Sequence, residues 1–160
     1  MIKLKRVLGG DPFKEYPQLK EIWPDPYRYH AALASRIDSD SGEVFYIKED
    51  GEVIGITGYF IDDECSGSGA FLRWTGIIPA RRGNGIGRKA LYELARTLHQ
   101  AYPQREKIIE LIPDNEYGAT IVQPFFESVG FAPYRVFIPI GEDTDWPVVS
   151  FAANILGMKP

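Results

Sequence analysis

Arg81-Arg82-Gly83-Asn84-Gly85-Ile86-Gly87-Arg88-Lys89 is the stretch that decides the fold. An apolar run precedes it, Phe71 to Pro79 (FLRWTGIIP), and an amphipathic run, Ile86 to His99, follows it. The order reads as strand, glycine-rich turn, helix. On the helix, Ile86, Ala90, Leu91, Leu94, Ala95 and Leu98 recur at the period of a core-facing stripe. Three glycines at alternate positions let backbone N–H groups approach a ligand without Cβ obstruction. The helix start adds orphan N–H groups and about half a positive charge. Four cations, Arg81, Arg82, Arg88 and Lys89, crowd that start, where each is disfavoured by roughly 0.3–1 kcal/mol. A bound phosphate or pyrophosphate removes the conflict. The alternative is a solvated basic turn that only connects two elements.

The spacing narrows the anion. The Walker pattern G-x-x-x-x-G-K-[ST] is absent, because Lys89 is followed by Ala90. The dinucleotide pattern G-x-G-x-x-G fails on the spacing Gly83, Gly85, Gly87. What remains, Arg82-x-x-Gly85-x-Gly87, resembles the acyl-CoA pyrophosphate signature R/Q-x-x-G-x-G/A of the GNAT superfamily of N-acetyltransferases. Ile77-Ile78-Pro79 looks like the strand end before that loop. A later stretch, Phe125-Phe126-Glu127-Ser128-Val129-Gly130-Phe131, resembles the family's F-Y-E-K-x-G-F segment. With the element order, the resemblance covers nearly the whole chain.

The 160 residues read as a single domain, long enough to bury roughly two-thirds of the unfolded surface. A content of 44% hydrophobic and 25% charged residues argues against disorder. A net charge of -4 argues against a general nucleic-acid binder and leaves the basic cluster local. The single cysteine, Cys65, permits no intrachain disulfide and favours a cytoplasmic site. Ile2 to Leu8 is interrupted by Lys3, Lys5 and Arg6, so it is no signal segment, and no run reaches transmembrane length.

Along the chain, Ile2 to Leu8 alternates as a first strand. Asp11-Pro12 reads as N-cap and first helical residue, with Pro17 forcing a kink or restart, and Asp25-Pro26 repeats the cap signal. Val44 to Lys48, Asp50-Gly51 and Val53 to Ile61 form a hairpin. Phe71 to Ile78 is one strand and Lys107 to Ile112 another. Pro124 opens a short helix that ends near Gly130, and Pro133 to Ile140 and Val148 to Ala153 close the chain as strands. This is an α/β (α+β) class, a mixed, largely antiparallel sheet of about seven strands with helices on both faces. It is the element order of the GNAT fold.

The resemblance implies acetyl transfer from acetyl-CoA, as co-substrate, to a primary amine of a small molecule or peptide, directly and with both substrates bound. It assigns Arg82, Gly83, Asn84, Gly85, Ile86, Gly87 and Arg88 to the pyrophosphate. The backbone of Gly76, Ile77 and Ile78 falls to the pantetheine arm and thioester. Asn115 and Phe126 belong to the later cofactor segment. Gly76 reads as a bulge or close approach, or as a tolerated strand glycine. The amine, mostly protonated at neutral pH, needs a base. Glu110, interrupting the apolar run Ile108 to Ile112, ranks first, with Asp62, Asp63 and Glu64 as alternatives. The family's tyrosine acid is replaced by Phe126, which cannot donate a proton. Tyr117 or Tyr134 substitutes, or the thiolate leaves unassisted. Asn115 and Ala119 resemble an N-x-x-A helix start that sits too far from Gly130, so residues 119 to 124 read as an insertion. Trp23, Tyr27, Tyr29 and His30 form either an acceptor wall or core. The sequence predicts no metal, no nucleic acid and no membrane partner, and a homodimer is compatible with it. The alternative function is an acyl-CoA-binding sensor or interaction module with weak or no catalysis.

Overall fold

A computed structural model describes residues 1–23, 42–63, 67–135 and 148–160. The helix predicted after Asp25, residues Tyr27, Tyr29, His30, Glu64 and Cys65, and most of the strand from Pro133 to Ile140 lie outside them. Eight strands make a mixed sheet; among the described pairings only one, β4 with β6, is parallel. The chain divides into two compact units: Met1–Phe60 with Arg73–Leu94 and Pro160, and Ile61–Leu72 with Ala95–Lys159.

In the first unit, β1 (Ile2–Arg6), β2 (Gly42–Glu49) and β3 (Glu52–Phe60) pair antiparallel in that order. Asp50 and Gly51 close the hairpin with φ of 49° and 96°, the pair of positive values that matches the twist of the strands they join. Asp11 caps α1 (Pro12–Glu15) as predicted, its Oδ1 accepting the Phe13 N–H at 2.9 Å. Pro17 ends that helix and restarts the chain as a 3-10 turn, Pro17–Glu21. Phe13, Leu19, Ile22 and Trp23 from these turns bury against Val44, Tyr46, Val53 and Ile56. Ile47, Ile54 and Ile77 instead take Ile86 and Ala90 of α2 (Ile86–Ala101). A register slip between Ile47 and Lys48 breaks the period-two alternation, so Val53 and Ile56 take one helical cover and Ile54 the other. All six residues of the predicted helical stripe are buried.

The single strand predicted over Phe71–Ile78 is broken in two. β4 (Gly69–Leu72) pairs in parallel with β6 (Lys107–Pro113), whereas β5 (Gly76–Ile77) pairs antiparallel with β3. Trp74, at φ 43°, makes the break. A left-handed conformation costs a bulky residue on the order of 1–2 kcal/mol, so its neighbours must hold it. Arg73 N–H donates to Gly58 O at 2.9 Å, and its buried guanidinium lies 4.4 Å from the Phe60 ring centroid and 5.2 Å from that of Trp74. Thr75 Oγ1 meets the buried Thr57 Oγ1 at 2.8 Å.

Gly76 is a close-approach glycine. A Cβ there would lie 2.0 Å from Ile22 Cγ2. Gly76→Ala is therefore expected to overpack the contact and cost about 1–3 kcal/mol, read as a melting temperature lowered by several degrees. Combining it with Ile22→Ala, which removes Cγ2, should give a loss smaller than the sum of the two single changes. Strict additivity would show that Ile22 is not the obstacle.

In the second unit, β6 pairs antiparallel with β8 (Val148–Asn154), and β8 with β7 (Ala132–Pro133). The helix predicted to open at Pro124 starts earlier. Asn115 Oδ1 accepts the Gly118 N–H at 2.9 Å, a π-helical turn runs over Gly118–Val122, and α3 (Gln123–Ser128) continues from it. The extra residues read as an insertion are thus wound into the helix, and the wide turn accommodates a proline that cannot donate at position 124. Gly118 is required there because a Cβ would fall 1.7 Å from Pro113 O. The end is as predicted. Gly130, at φ 97°, donates to Glu127 O at 3.1 Å, and Phe131 N–H donates to Phe126 O at 3.0 Å. These two bonds, with the Phe126 and Phe131 rings 4.9 Å apart, form a Schellman cap and its apolar clasp.

Candidate active site

The glycine turn is left-handed at three successive residues: Gly83 at φ 90°, Asn84 at 52° and Gly85 at 72°. Glycine and asparagine are the residue types that tolerate this conformation. A Cβ added at Gly83 or Gly85 meets nothing within 4 Å, so packing does not demand glycine there; the backbone conformation does, and open space lies above it. Successive amides in such turns form concave anion sites. The turn opens the sixteen-residue α2, whose first turn carries no acidic residue to neutralise the exposed N–H end. Ile86 and Ala90, buried against Ile47, Ile54 and Ile77, fix the helix that carries the turn.

The side chains around the turn differ from the sequence expectation. Arg82, expected to grip an anion, faces its own backbone: Nε donates to Ile77 O at 3.0 Å and Nη2 to Ile22 O at 2.6 Å. Arg81 pairs with Glu52 at 2.8 Å and Glu49 at 3.6 Å. Arg81 and Arg82 thus find partners within the protein, and the conflict at the helix start is smaller than the sequence implies. The Ile86 N–H, also expected to meet the anion, donates to Gly83 O at 3.2 Å. Gly87 is half-buried and Arg88 exposed.

β5 leads into this turn. Ile78 N–H is taken by Ile54 O at 2.9 Å, so it is not free to face a thioester. The register Gly55↔Ile77 and Ile56↔Gly76 turns the Ile77 peptide groups away from β3. Its carbonyl accepts Arg82, which leaves the Ile77 N–H as the outward donor of the three.

In the second unit, Glu110 stands on β6 opposite Phe151 of β8. The residue is half-buried, but its Oε2 is sealed from water without a hydrogen-bond partner among the described residues. Burial pushes its carboxyl up from 4.5 to about 8. An orphaned buried carboxyl costs on the order of 1–3 kcal/mol, which singles it out. Tyr117 is half-buried in the first turn of the following helix, and Asn115 is that helix's cap. Phe126 is buried, edge-on to Phe125 at 5.1 Å and to Phe131 at 4.9 Å. Among the alternative bases, Asp63 is ion-paired to Arg105. Arg105 also donates to Gly67 O and Gly69 O, so the group braces the loop.

Trp23 is buried beside Phe13, ring centroids 6.2 Å apart, a core placement rather than an open wall. Tyr27 and Tyr29 lie outside the described residues. Sequence reasoning missed the Arg73–Trp74 bend and the Thr57–Thr75 pair; no local signal foretells a left-handed tryptophan. Among the described residues no cluster of His, Cys, Asp and Glu could hold a metal ion, and no helix is long and apolar enough to cross a membrane.

Comparison with known proteins agrees with the fold. Residues 11–131 match the sequence model of the Acetyltransferase (GNAT) family. No curated protein sequence matches the chain. Among solved structures, an aminoglycoside acetyltransferase in complex with coenzyme A is similar at a TM-score of 0.68 and 18% identity, over 96% of this chain and 95% of that one. The ribosomal-protein-S18-alanine N-acetyltransferase of Escherichia coli is similar at 0.67 and 16%, over 97% and 94%. A GNAT family acetyltransferase of Elizabethkingia anophelis with acetyl-CoA bound is similar at 0.66 and 16%, over 96% and 97%.

Proposed function

Since the chain belongs to the acetyltransferase (GNAT) family, we propose that it is a single catalytic domain that moves an acetyl group from acetyl-CoA to a primary amine of a small molecule or peptide, with both substrates bound together. The observation that carries this reading is the turn Gly83-Asn84-Gly85, three left-handed residues at the start of a long helix with open space above them. In this reading the N–H groups of Gly83, Asn84, Gly85 and Gly87 hold the pyrophosphate. Acetyl-CoA supplies the activated carbonyl and the thiolate leaving group. The Ile77 N–H serves the developing oxyanion, a donor of a kind worth roughly 3–4 kcal/mol.

Glu110 takes the proton of the amine. Passing a proton from a lysine-like ammonium to an ordinary glutamate is uphill by roughly 8 kcal/mol; to a carboxyl that titrates at about 8 it is uphill by roughly 3. Tyr117 returns a proton to the thiolate, and Asn115 and Phe126 shape the later cofactor segment. Tyr27 and Tyr29 are the residues proposed to contact the amine. The companion reading, an acyl-CoA-binding module with weak catalysis, draws on Phe126, whose ring is locked in an aromatic cluster and offers no hydroxyl.

A thermal-shift titration tests the reading. Acetyl-CoA at a hundred times its Kd stabilises the native state by about 2.7 kcal/mol, whereas an RNA oligomer leaves the melting temperature unchanged. No shift in folded protein would make the glycine turn structural only. A shift without turnover across a panel of amines would favour the binding module.

A further inference from the structure

Arg82 connects two places that the sequence treats as unrelated. It stands immediately before the left-handed turn, at the end of the 3-10 turn Pro79–Arg81. Its guanidinium reaches across to the carbonyl of Ile22, the residue that closes the 3-10 turn Pro17–Glu21. The same guanidinium holds Ile77 O. Ile22 is gripped a second time, because its side chain sits against the bare Cα of Gly76. Three residues of the β5–turn segment, Gly76, Ile77 and Arg82, therefore form one clamp on Ile22.

We propose that Arg82 is a positioning residue that couples occupancy of the phosphate turn to the order of the Pro17–Trp23 segment. A fork with two carbonyls on it is satisfied only when the Arg82 backbone, Ile77 and Ile22 stand in one arrangement. A pyrophosphate that closes on the amides of Gly83 and Asn84 narrows the choice of Arg82 backbone conformations, and so strengthens its hold on Ile22. Coupling of this kind is reciprocal: a ligand that orders Pro17–Trp23 strengthens binding at the turn by the same factor. The proposal rests on the acyltransferase reading of the turn, and it replaces the expected direct phosphate contact of Arg82 by an indirect one.

Hydrogen exchange with coenzyme A as the probe tests it. In the wild type, saturating coenzyme A is expected to slow exchange of the Leu19 and Ile22 amides by about tenfold, within the usual range of coupling. Arg82→Lys keeps the charge but loses the planar fork. It is expected to bind coenzyme A within about threefold of the wild type and to lose that added protection. Binding weakened a hundredfold or more in Arg82→Lys would make Arg82 a phosphate ligand and overturn the proposal. Unchanged exchange in the wild type on saturation would overturn it without any variant. Failure of the wild type to bind coenzyme A would instead overturn the reading of the turn itself.

Discussion

Gly85→Glu is expected to weaken acetyl-CoA binding by at least about a hundredfold, equivalent to about 2.7 kcal/mol, while leaving the protein folded. The geometry separates the two effects. A Cβ at Gly85 meets nothing within 4 Å, so the new side chain displaces no protein atom and projects into the space the pyrophosphate would take. Its carboxylate then opposes an anion at close range. The fold pays little. Forcing φ of 72° on a non-glycine residue costs on the order of 1–2 kcal/mol, and a carboxylate at the start of α2 returns about 0.3–1. Gly85→Asn is the control, since asparagine tolerates the left-handed region and adds no charge; it should bind far better than the glutamate variant. Isothermal titration reads both. A Kd for Gly85→Glu within threefold of the wild type would move the pyrophosphate away from this turn.

Glu110→Gln is expected to lower kcat by about 10²–10⁴-fold with little change in acetyl-CoA affinity. Wild-type kcat/KM should climb with pH and level off above about 8, where the carboxyl ionises, and the glutamine variant should lack that limb. The same titration has a stability signature of opposite sign. Because burial raises the folded-state value above 4.5, the unfolded chain gives up this proton first. The native state is unpenalised below about pH 4.5 and loses stability as the pH rises to about 8. Glutamine removes that loss, so the variant should be more stable than the wild type at pH 8, by an amount on the order of a few kcal/mol. Lower activity together with higher alkaline stability is what a functional buried carboxyl leaves behind. A variant with a wild-type pH–rate profile would remove Glu110 as the base, whatever its stability.

The two units were legible to different degrees. The α2 stripe, the Asp50-Gly51 hairpin, the Asp11 cap and the Gly130 cap each follow from residues a few positions apart, and each is in the structure. Pro124 looks like an opening residue, yet the helix before Gly130 starts earlier. A π turn lets the chain pass through it, and that solution depends on Gly118 lying against Pro113 O. Nothing in the composition of Phe71 to Ile78 marks Trp74 as the break beyond which the chain no longer pairs with β6.

By itself, the sequence determined where the glycine turn lies and which face of its helix is buried, because periodicity, caps and positive-φ demands are written within a turn or two of chain; the family follows from the match of residues 11–131 to its sequence model. Only the tertiary structure decided what the charged groups do. Arg82, read as an anion ligand, is drawn to the carbonyls of Ile77 and Ile22, and Arg81, one of the crowding cations, to Glu52, partners up to sixty positions away. Glu110 gains its raised pKa from burial in the folded chain, which leaves Oε2 without water and without a partner among the described residues. A charge takes its role from the nearest dipole and from the dielectric around it, and both are set by residues that meet only when the chain has folded.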